Sequence, residues 1–292
     1  MKETYPTKIL GLVTLYHPKA EEAADNILRY INDLDKLIIW DNSPLEENLN
    51  EILPSLLGKD RSKVIWKGDG QNHYIASAIN FAWFYARNNH YDLILIMDQD
   101  SRWNDFHSFK NEVVRHCQSS YNHVYCPYII GNDDLDGFII TKDLQEKRIF
   151  INSGTVIPTS ILNAIGGADE SFPLDALDHD LAIRIQKAGY TIICLTKHKL
   201  NHSVGDPQLM GPFHIYTDNY GPQRIYSISK CHIIKIRKHK DWLTFPEIKK
   251  TITTHYILKF LRILLAEPQK TTRFKMLFKG IYDGLTYHIT KT

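Results

Sequence analysis

The sequence predicts an α/β fold, a mostly parallel sheet with flanking helices, followed by a helical C-terminal appendage. Short apolar runs alternate with segments of helical periodicity between residues 8 and 200, which is typical of parallel strands joined by right-handed crossovers. The clearest strand is 93–97, whose unbroken apolar run suits a strand buried on both faces of such a sheet. A basic region with helical patterning follows residue 219.

The individual elements follow from the pattern and from the residues that interrupt it. A first strand over 8–16 stops at His17 and Pro18, and a helix follows over 21–28. A second strand, 36–40, ends at a run of turn residues. Further strands are predicted over 64–66, 93–97, 124–130, 149–157 and 191–195, and helices after Asn72, over 106–118, and from Leu181 to a stop at Gly189.

Composition sets the broad class of the protein. The chain has 292 residues, 43% of them apolar and 23% charged, which is enough for one large globular α/β domain and an appendage. Its four cysteines are widely spaced, so neither a zinc cluster nor a disulfide framework is expected. No apolar signal stretch opens the sequence, and no run reaches the roughly 18 apolar residues of a spanning helix. We therefore expect a cytoplasmic protein.

Charge divides the chain into two regions. Residues 220–292 carry 15 Lys and Arg against 4 Asp and Glu, a net charge of +11, whereas residues 1–219 carry a net charge of −9. We predict an α/β domain over 1–219 and a basic, amphipathic helical region over 220–292. The segment 252–265, apolar with interspersed cations, suits a helix that lies on an anionic membrane surface. Packing against the first domain or against a second subunit explains it equally well.

Two carboxylates, Asp98 and Asp100, follow the 93–97 strand directly. In open α/β sheets ligands bind beyond the carboxyl ends of the strands, so this pair lies where a cation with its phosphates is expected. A polar turn that merely ends the strand explains the same residues. His202 would join them as a ligand only if the fold returned it to this edge, because a lone histidine is more often structural.

Two further segments have both a binding and a structural interpretation. Asp41, at the end of the 36–40 strand, would hold a nucleoside in the same crevice or form an Asx turn. The small residues 76–78 allow a ligand to approach the start of their helix, or they simply pack it. The acidic segment 131–137 is interpreted as a solvated loop, because it lacks the closing glutamate of a calcium loop.

A second acidic group consists of Asp175, Asp178 and Asp180, at or before the first turn of the helix predicted from Leu181. Acidic residues there interact favourably with the helix dipole, which accounts well for one of the three. Crowded carboxylates also raise the proton affinity of one of their number, so that the group can supply a general base.

Several blocks of sequence occur in a fixed order. They are Val13-Thr14-Leu15-Tyr16-His17-Pro18, Asp41-Asn42-Ser43-Pro44, Asp98-Gln99-Asp100-Ser101, Asn152-Ser153-Gly154 with Gly166-Gly167-Ala168-Asp169-Glu170, Asp178-His179-Asp180 before Ala182-Ile183-Arg184, and Asn201-His202. In this order the blocks resemble the family 2 inverting glycosyltransferases of the GT-A fold, a Rossmann-like fold, and most closely the bacterial rhamnosyltransferases that use dTDP-L-rhamnose. The resemblance covers roughly residues 8–235. The third block has the form of the DxD motif usual in the rhamnosyl group.

Two blocks depart from the family pattern. The family's Asn-x-Gly-x-Ala-x-Ala-x-Asn motif is present as residues 72–80, with Tyr74 where glycine is usual. The base segment has Asp180 where glutamate is usual. Since Tyr74 could narrow the donor pocket, the first departure bears on the identity of the sugar more than on the reaction.

The resemblance implies a metal-dependent inverting glycosyltransferase that moves a sugar, rhamnose by analogy, from dTDP-rhamnose or a UDP-sugar. The acceptor would be a glycan or lipid-linked glycan in the synthesis of cell-surface polysaccharide. Asp98, Asp100 and His202 are implied to hold Mg²⁺ or Mn²⁺, and Asp178 to be the catalytic base, with Asp180 as the alternative base. Donor binding is implied for Thr14, Tyr16, Asp41, Asn72, Asn80 and Asp98.

Other function classes fit parts of the sequence. A nucleotidyltransferase shares the sheet and the metal carboxylates, but its early Gly-rich, basic loop is not seen after Tyr16. A non-catalytic protein that binds a sugar or nucleotide stays an alternative; the basic region alone would also suit a nucleic-acid binder, but we expect no nucleic-acid partner. A glycoside hydrolase would need no metal-diphosphate site. The expected partners are a nucleotide sugar, a glycan acceptor and, through 220–292, the inner face of the cell membrane.

Overall fold

The computed structural model describes residues 7–130, 138–202 and 208–289, so the acidic segment 131–137 lies outside the described residues. The chain forms two compact units. The first comprises the residues up to 173 together with 184–204, and the second comprises 174–183 and the residues from 205 onward.

The first unit is built on a nine-stranded mixed sheet. Its strands are β1 (Ile9–Leu15), β2 (Lys36–Asp41), β3 (Val64–Lys67), β4 (Leu93–Asp98), β5 (Ser101–Trp103), β6 (His123–Ile130), β7 (Leu144–Glu146), β8 (Thr155–Pro158) and β9 (Thr191–His202). They lie in the order β3-β2-β1-β4-β8-β6-β9-β5, and β7 pairs with β9. The predicted α/β class is confirmed.

The half of the sheet from β3 to β4 is parallel, as predicted. Every residue of β1 is buried, and so is β4 up to Met97, because helices cover both faces of these strands. The helices of this unit are α1 (Ala20–Leu28), α2 (Leu49–Leu56), α3 (Tyr74–Asn88), α4 (Phe106–Cys117) and α5 (Thr159–Ile165), with 3₁₀ turns at Ile31–Asp33, Leu45–Glu47 and Gly58–Lys63.

The other half of the sheet contains antiparallel pairs that the sequence did not predict. β8 runs antiparallel to β4 and β6, while β5 and β7 run antiparallel to β9. Strands as short as β5 and β7 are too brief to show a periodic pattern, which is why they were missed. β9 was predicted to end at Leu195, but it continues to His202 because its last residues pair with β5.

The strand predicted over 149–157 is wrong in its first half, because β8 begins only at Thr155. The residues before it form a turn in which Gly154 has a φ of 79° and donates its N–H to the carbonyl of Ile96 at 2.8 Å. A Cβ atom on Gly154 would lie 2.7 Å from the side chain of Leu200. Glycine is therefore required here both by the backbone conformation and by close packing.

The second unit is mainly helical. A hairpin of β10 (Gln208–Met210) and β11 (Ile215–Thr217) precedes α7 (Pro222–Lys238), α8 (Phe245–Ile252), a π-helical segment (Thr253–Leu258), α9 (Lys259–Leu265) and α10 (Lys270–Thr286). Helix α6 (Leu177–Lys187) belongs to this unit up to Ile183. Within the described ranges, no helix is both long and apolar enough to cross a membrane.

Two glycines allow α10 to pack closely on α7. A Cβ atom on Gly280 would lie 2.6 Å from the carbonyl oxygen of Tyr226, and one on Gly284 would lie 2.8 Å from the Cβ of Ile233. These glycines are four positions apart and share one face of the helix, so the two backbones approach along a stripe without side chains. The small core of the unit is formed by Ile225, Ile263 and Leu277.

We expect the substitution Gly280→Val to lower the free energy of unfolding by about 1–3 kcal/mol, because the new side chain must displace backbone atoms of α7. Chemical denaturation followed by circular dichroism measures this difference. Gly221→Ala is the matched control, because nothing lies within 4 Å of the position a Cβ atom would occupy there. Equal stability of the two variants would show that the close helix packing is misassigned.

Candidate functional site

The carboxyl ends of three adjacent strands bring three predicted donor ligands to one edge of the sheet. Thr14 of β1 is paired in register with Asp98 of β4, and Leu15 is paired with Asp41 of β2. Thr14 and Asp41 are largely buried, with 7% and 8% of their surface exposed. Because parallel strands end at the same edge, residues distant in sequence become neighbours here.

Asp41 forms the Asx turn that was one of its two interpretations. Its carboxylate accepts a hydrogen bond from the N–H of Ser43 at 2.9 Å. The hydroxyl of Ser43 accepts a hydrogen bond from the N–H of His17 at 2.9 Å, which ties the loop after β1 to the loop after β2. Burial raises the pKa of Asp41, and the hydrogen bonds from Ser43 oppose this rise. The turn is confirmed, and the nucleoside contact stays a prediction.

Gln99, between the two aspartates, is a site residue that the sequence analysis missed. Its Oε1 accepts a hydrogen bond from the N–H of Tyr16 at 2.7 Å, and its Nε2 donates to the carbonyl of Tyr16 at 3.1 Å. This two-point contact fixes the loop after β1 against the loop after β4. The ring of Tyr16 is 51% exposed and so accessible to a ligand. A glutamine in a turn carries no sequence signal of the backbone that it will contact.

The block 72–80 begins with a turn in which Tyr74 has an unusual backbone conformation. Asn72 accepts a hydrogen bond from the N–H of Tyr74 at 2.9 Å. His73 donates its N–H to the side chain of Asn42 at 2.9 Å, which attaches this turn to the residue after β2. Tyr74 has a φ of 60°, in the left-handed region that glycine adopts without strain. Tyrosine takes this conformation at a cost in backbone strain.

Asn80 at the other end of this block contacts the segment after α5. Its Nδ2 donates to the carbonyl of Ala168 and to the carboxylate of Glu170, both at 3.0 Å. Its Oδ1 accepts a hydrogen bond from the N–H of Ala168 at 2.8 Å. Gly167 leaves room for this contact, since a Cβ atom there would lie 2.5 Å from Oδ1 of Asn80. Asn80 therefore positions the 166–170 segment, and its contact with a donor stays a prediction.

The two aspartates after β4 meet a histidine from a distant part of the chain. Asp98, Asp100 and His202 each offer one ligand atom, and these atoms all lie within 4.8 Å of one another. Oδ1 of Asp100 lies 3.4 Å from Nδ1 of His202. The approach follows from the antiparallel pairing of β5 and β9, which places Ser101 opposite His202.

A chain of hydrogen bonds supports these three side chains from behind. The hydroxyl of Ser153 accepts a hydrogen bond from the N–H of Asp98 at 3.1 Å and donates to the hydroxyl of Ser101 at 2.6 Å. The hydroxyl of Ser101 lies 2.8 Å from Nδ1 of His202. Both serines are fully buried. Ser101 thus contacts the same ring nitrogen that faces Asp100, and this contact holds the imidazole in place beside the two carboxylates.

The electrostatics of the cluster favour a cation. Burial by itself would lower the pKa of His202, but the carboxylates of Asp100 and Asp98 outweigh it, and the pKa is raised. Two carboxylates and one imidazole form a ligand set that suits Mn²⁺ or Mg²⁺ in a partly open site. The residues present therefore fit a divalent metal ion. A cavity of about 630 Å³ lies beside them, lined among others by Lys19, Asp25 and Arg102.

The acidic residues at and just before the start of α6 are matched by basic residues on α7 and directly after it, all in the second unit. Asp180 is fully buried, and its Oδ1 accepts hydrogen bonds from Lys238 at 2.7 Å and from His239 at 2.8 Å. Asp175 is also buried and forms an ion pair with Arg224 at 2.9 Å. Ion pairing between helices thus explains two of the three acids, a role that neither sequence interpretation included.

Asp178 differs from its two neighbours. Its Oδ1 accepts a hydrogen bond from the N–H of His179 at 2.8 Å, and no described residue forms an ion pair with it. Burial raises the pKa of Asp178, while the N–H of His179 and the charge of Lys235 oppose this rise. A carboxylate that is partly desolvated and unpaired is a stronger base than an ordinary aspartate.

The sheet order and the polar strand ends define an α/β fold of the GT-A type. Three solved structures share it. PcManGT, a mannosyltransferase from Pyrobaculum calidifontis solved with GDP-Man and Mn²⁺, matches with a TM-score of 0.61 and 13% identity over 97% of this chain and 88% of its own. TarS from S. aureus matches with a TM-score of 0.55 and 11% identity over 96% and 81%.

GalNAc-T7, solved with UDP, GalNAc and Mn²⁺, matches with a TM-score of 0.56 and 8% identity over 96% of this chain. The chain spans 58% of the length of GalNAc-T7. No protein-family model and no curated protein sequence matches. At these identities the likeness concerns the fold, and the fold predicted from the sequence is confirmed.

We expect Ser101→Ala to weaken Mn²⁺ binding about 10- to 100-fold, because it removes the hydrogen bond that orients His202. Asp100→Ala should abolish binding, because it removes a ligand. Titration calorimetry with Mn²⁺ on the metal-free protein measures both effects. Ser119→Ala, at an exposed helix end, is the matched control. Wild-type affinity in Ser101→Ala would mean that the serine chain does not support the metal site.

Proposed function

We propose that the chain is a metal-dependent glycosyltransferase that uses a nucleotide-sugar donor. The observation that carries this proposal is the meeting of Asp98, Asp100 and His202 at the sheet edge where Thr14 and Asp41 also lie. A nucleoside diphosphate needs polar groups for its base and ribose and a cation for its phosphates, and this edge offers polar side chains for the first and candidate metal ligands for the second, which supports the proposal.

In the proposed reaction Asp98, Asp100 and His202 hold Mg²⁺ or Mn²⁺. When bound, the cation neutralises the negative charge that develops on the departing nucleoside diphosphate. Thr14, Tyr16, Asp41 and Asn72 would position the nucleoside and the phosphates, so that binding energy far from the reacting bond aligns the anomeric carbon.

Asp178 is our proposed base. An acceptor hydroxyl would give its proton to the Asp178 carboxylate while its oxygen bonds to the anomeric carbon. The bond between that carbon and the diphosphate breaks on the opposite face, so the configuration inverts. The alternative base, Asp180, is a poorer candidate because Lys238 and His239 occupy its Oδ1 and no part of it is exposed.

The finer assignments rest on the sequence blocks. The DxD form of Asp98-Gln99-Asp100-Ser101 supports a family 2 enzyme of the rhamnosyl group, and hence rhamnose as the sugar and a glycan or lipid-linked glycan as acceptor. The neighbours of similar fold were solved with UDP and GalNAc or with GDP-Man, each with Mn²⁺, which supports a nucleotide-sugar donor with a divalent metal. Tyr74 has a left-handed backbone conformation, which is strained for a tyrosine. Such strain is often found at functional sites, which supports a role for Tyr74 in the choice of donor.

We expect Asp178→Asn to abolish sugar transfer while leaving donor affinity unchanged, because the amide cannot take up the acceptor's proton and the proposed donor-binding residues are all retained. Asp100→Ala should lose both transfer and metal-dependent donor binding. Release of nucleoside diphosphate from dTDP-rhamnose and UDP-sugars with Mn²⁺ measures transfer, and calorimetry measures binding. Asp143→Asn, outside the candidate site, is the control. A nucleotidyltransferase would instead release pyrophosphate, and a loss of donor affinity in Asp178→Asn would contradict its role as base.

We also propose that region 220–292 contacts an anionic membrane surface. Large apolar side chains are exposed on its helices, among them Phe245 at 77%, Tyr282 at 67% and Phe278 at 55%. Exposed cations lie on the same elements, namely Lys249, Lys250, Lys270, Lys275 and Lys279. An anionic bilayer matches this combination, because apolar groups enter the interface while each basic residue near it gains roughly 1 kcal/mol. An acceptor carried by a lipid would be found at such a surface.

We expect the full chain to float with vesicles that contain phosphatidylglycerol and not with vesicles of phosphatidylcholine alone. The double substitution Phe278→Ser with Tyr282→Ser should reduce flotation several-fold, because it removes two side chains that would enter the interface. Phe84→Ser, which removes an exposed phenylalanine of the first unit, should leave flotation unchanged. If neither vesicle type carried the wild-type chain, the membrane contact would be refuted.

A further inference from the structure

The second unit contains a cluster of basic side chains from three different elements. His179 comes from α6, His232 and Lys235 from α7, and His255 from the π-helical segment. The rings of His232 and His255 are stacked, with centroids 3.7 Å apart and an interplanar angle of 16°. The ring of His179 lies 6.2 Å from that of His232. His232 and Lys235 are only 6% and 3% exposed.

The π-helical segment gives this cluster its geometry. Residues Thr253–Leu258 form a π-helix between two α-helical stretches, a rare conformation that is often found at functional sites. His255 is one of its residues, and its ring lies flat against His232. The unusual backbone is thus located where it brings one ionisable side chain onto another.

Several polar groups of the cluster have no partner. Nδ1 of His232 is buried without a hydrogen bond. Among the residues that the structure describes, neither the ammonium of Lys235 nor the ring of His255 makes a hydrogen bond or ion pair. A buried ring nitrogen without a partner costs free energy, and the ammonium of the largely buried Lys235 has no acceptor beside it among the described residues.

Two carboxylates influence Lys235 without pairing with it. Glu247 accepts hydrogen bonds from the N–H and the hydroxyl of Thr244, at 2.7 and 2.8 Å, as part of a capping box. Asp178 accepts a hydrogen bond from the N–H of His179. Both carboxylates act on Lys235 through space, but neither is within ion-pair distance of it. No described residue therefore supplies an acceptor to the ammonium of Lys235.

The pKa values of the cluster describe an excess of positive potential. Burial, followed by the charges of Lys235, His179 and Arg262, lowers the pKa of His255 to about 4. Burial, followed by the charges of His255, Lys235 and His179, lowers the pKa of His232 well below its ordinary value. Burial lowers the pKa of Lys235 to about 8, so most of these ammonium groups keep their charge at neutral pH. A bound anion would raise the pKa values of all three groups, because it stabilises their charged forms.

We propose that Lys235, His232 and His255, with His179 beside them, form a binding site for a phosphate or diphosphate group. The tetrahedral oxyanion offers several acceptor oxygens at once, which suits donors that converge from three elements. Its charge balances one ammonium and any imidazolium that forms on binding. A single carboxylate offers fewer acceptors and less charge.

The existence of this anion site does not depend on glycosyl transfer. The assignment of the phosphate to an acceptor molecule does rest on the proposed function, with Asp178 as base, because Asp178 and Lys235 interact within the same unit. In that case the site would hold the phosphate of the acceptor while its hydroxyl is presented to Asp178.

The test is calorimetric titration of the full chain with inorganic pyrophosphate in the presence of EDTA, which removes metal-dependent binding at Asp98 and Asp100. We expect saturable binding that Lys235→Met weakens about tenfold or more, because a charge-assisted hydrogen bond is lost. His255→Phe, which keeps a stacked ring without a donor, should weaken it several-fold. Lys230→Met, on the same helix as Lys235, is the matched control and should bind as the wild type does.

A spectroscopic readout guards against a variant that fails to fold. In protein labelled with ¹⁵N-histidine, pyrophosphate should raise the pKa of His255 in the wild type and in Lys230→Met. Vesicles of phosphatidic acid, used in place of pyrophosphate, test whether the phosphate can be that of a lipid. Competition between the two probes supports a shared site, and independent binding assigns the cluster to the free anion. No binding of pyrophosphate, or wild-type binding in both Lys235→Met and His255→Phe, overturns the proposal.

Discussion

The candidate site of the first unit depends on one backbone contact, the antiparallel pairing of β5 with β9. Only three residues of β5 take part, yet they place Ser101 opposite His202 and so return the histidine to the end of β4. Buried serine hydroxyls then link the N–H of Asp98 to the imidazole. Each member of this chain has a hydrogen-bond partner, so the three metal-ligand candidates are held in one arrangement before any ion arrives.

The loops around this edge are fixed by side chains that bond to backbone rather than to each other. Gln99 makes two hydrogen bonds to the backbone of Tyr16, Ser43 accepts from the loop after β1, and Asn42 accepts from the turn that precedes α3. Such bonds set the width of a cleft without occupying its interior. Tyr16 itself stays exposed, so that its side chain is accessible to a ligand.

The second unit has a small hydrophobic core and many more cations than carboxylates, so ion pairs contribute much of its packing. Its buried carboxylates are each paired with basic residues, as in Asp180 with Lys238 and His239, and Glu267 with Lys259 and Arg273. Removing one partner from such a pair would leave a buried charge, which makes these contacts necessary for the fold. Among the described residues of this unit, the buried Lys235 forms no ion pair, and it is the cation of the proposed anion site.

The sequence by itself determined the parallel half of the sheet, the helices that cover it and the acidic residues at the strand ends, because unbroken apolar runs and turn residues are local patterns. The tertiary structure decided the rest. The short strands β5 and β7, the left-handed backbone at Tyr74 and the engagement of Asn80 with Ala168 depend on partners far away in the chain. The ion pairs of Asp175 and Asp180 could not be predicted either. An acidic residue near the start of a helix has the same sequence pattern whether it caps that helix or pairs with a basic residue of another helix. Register and ion pairing are set by contacts between segments, and no local pattern contains that information.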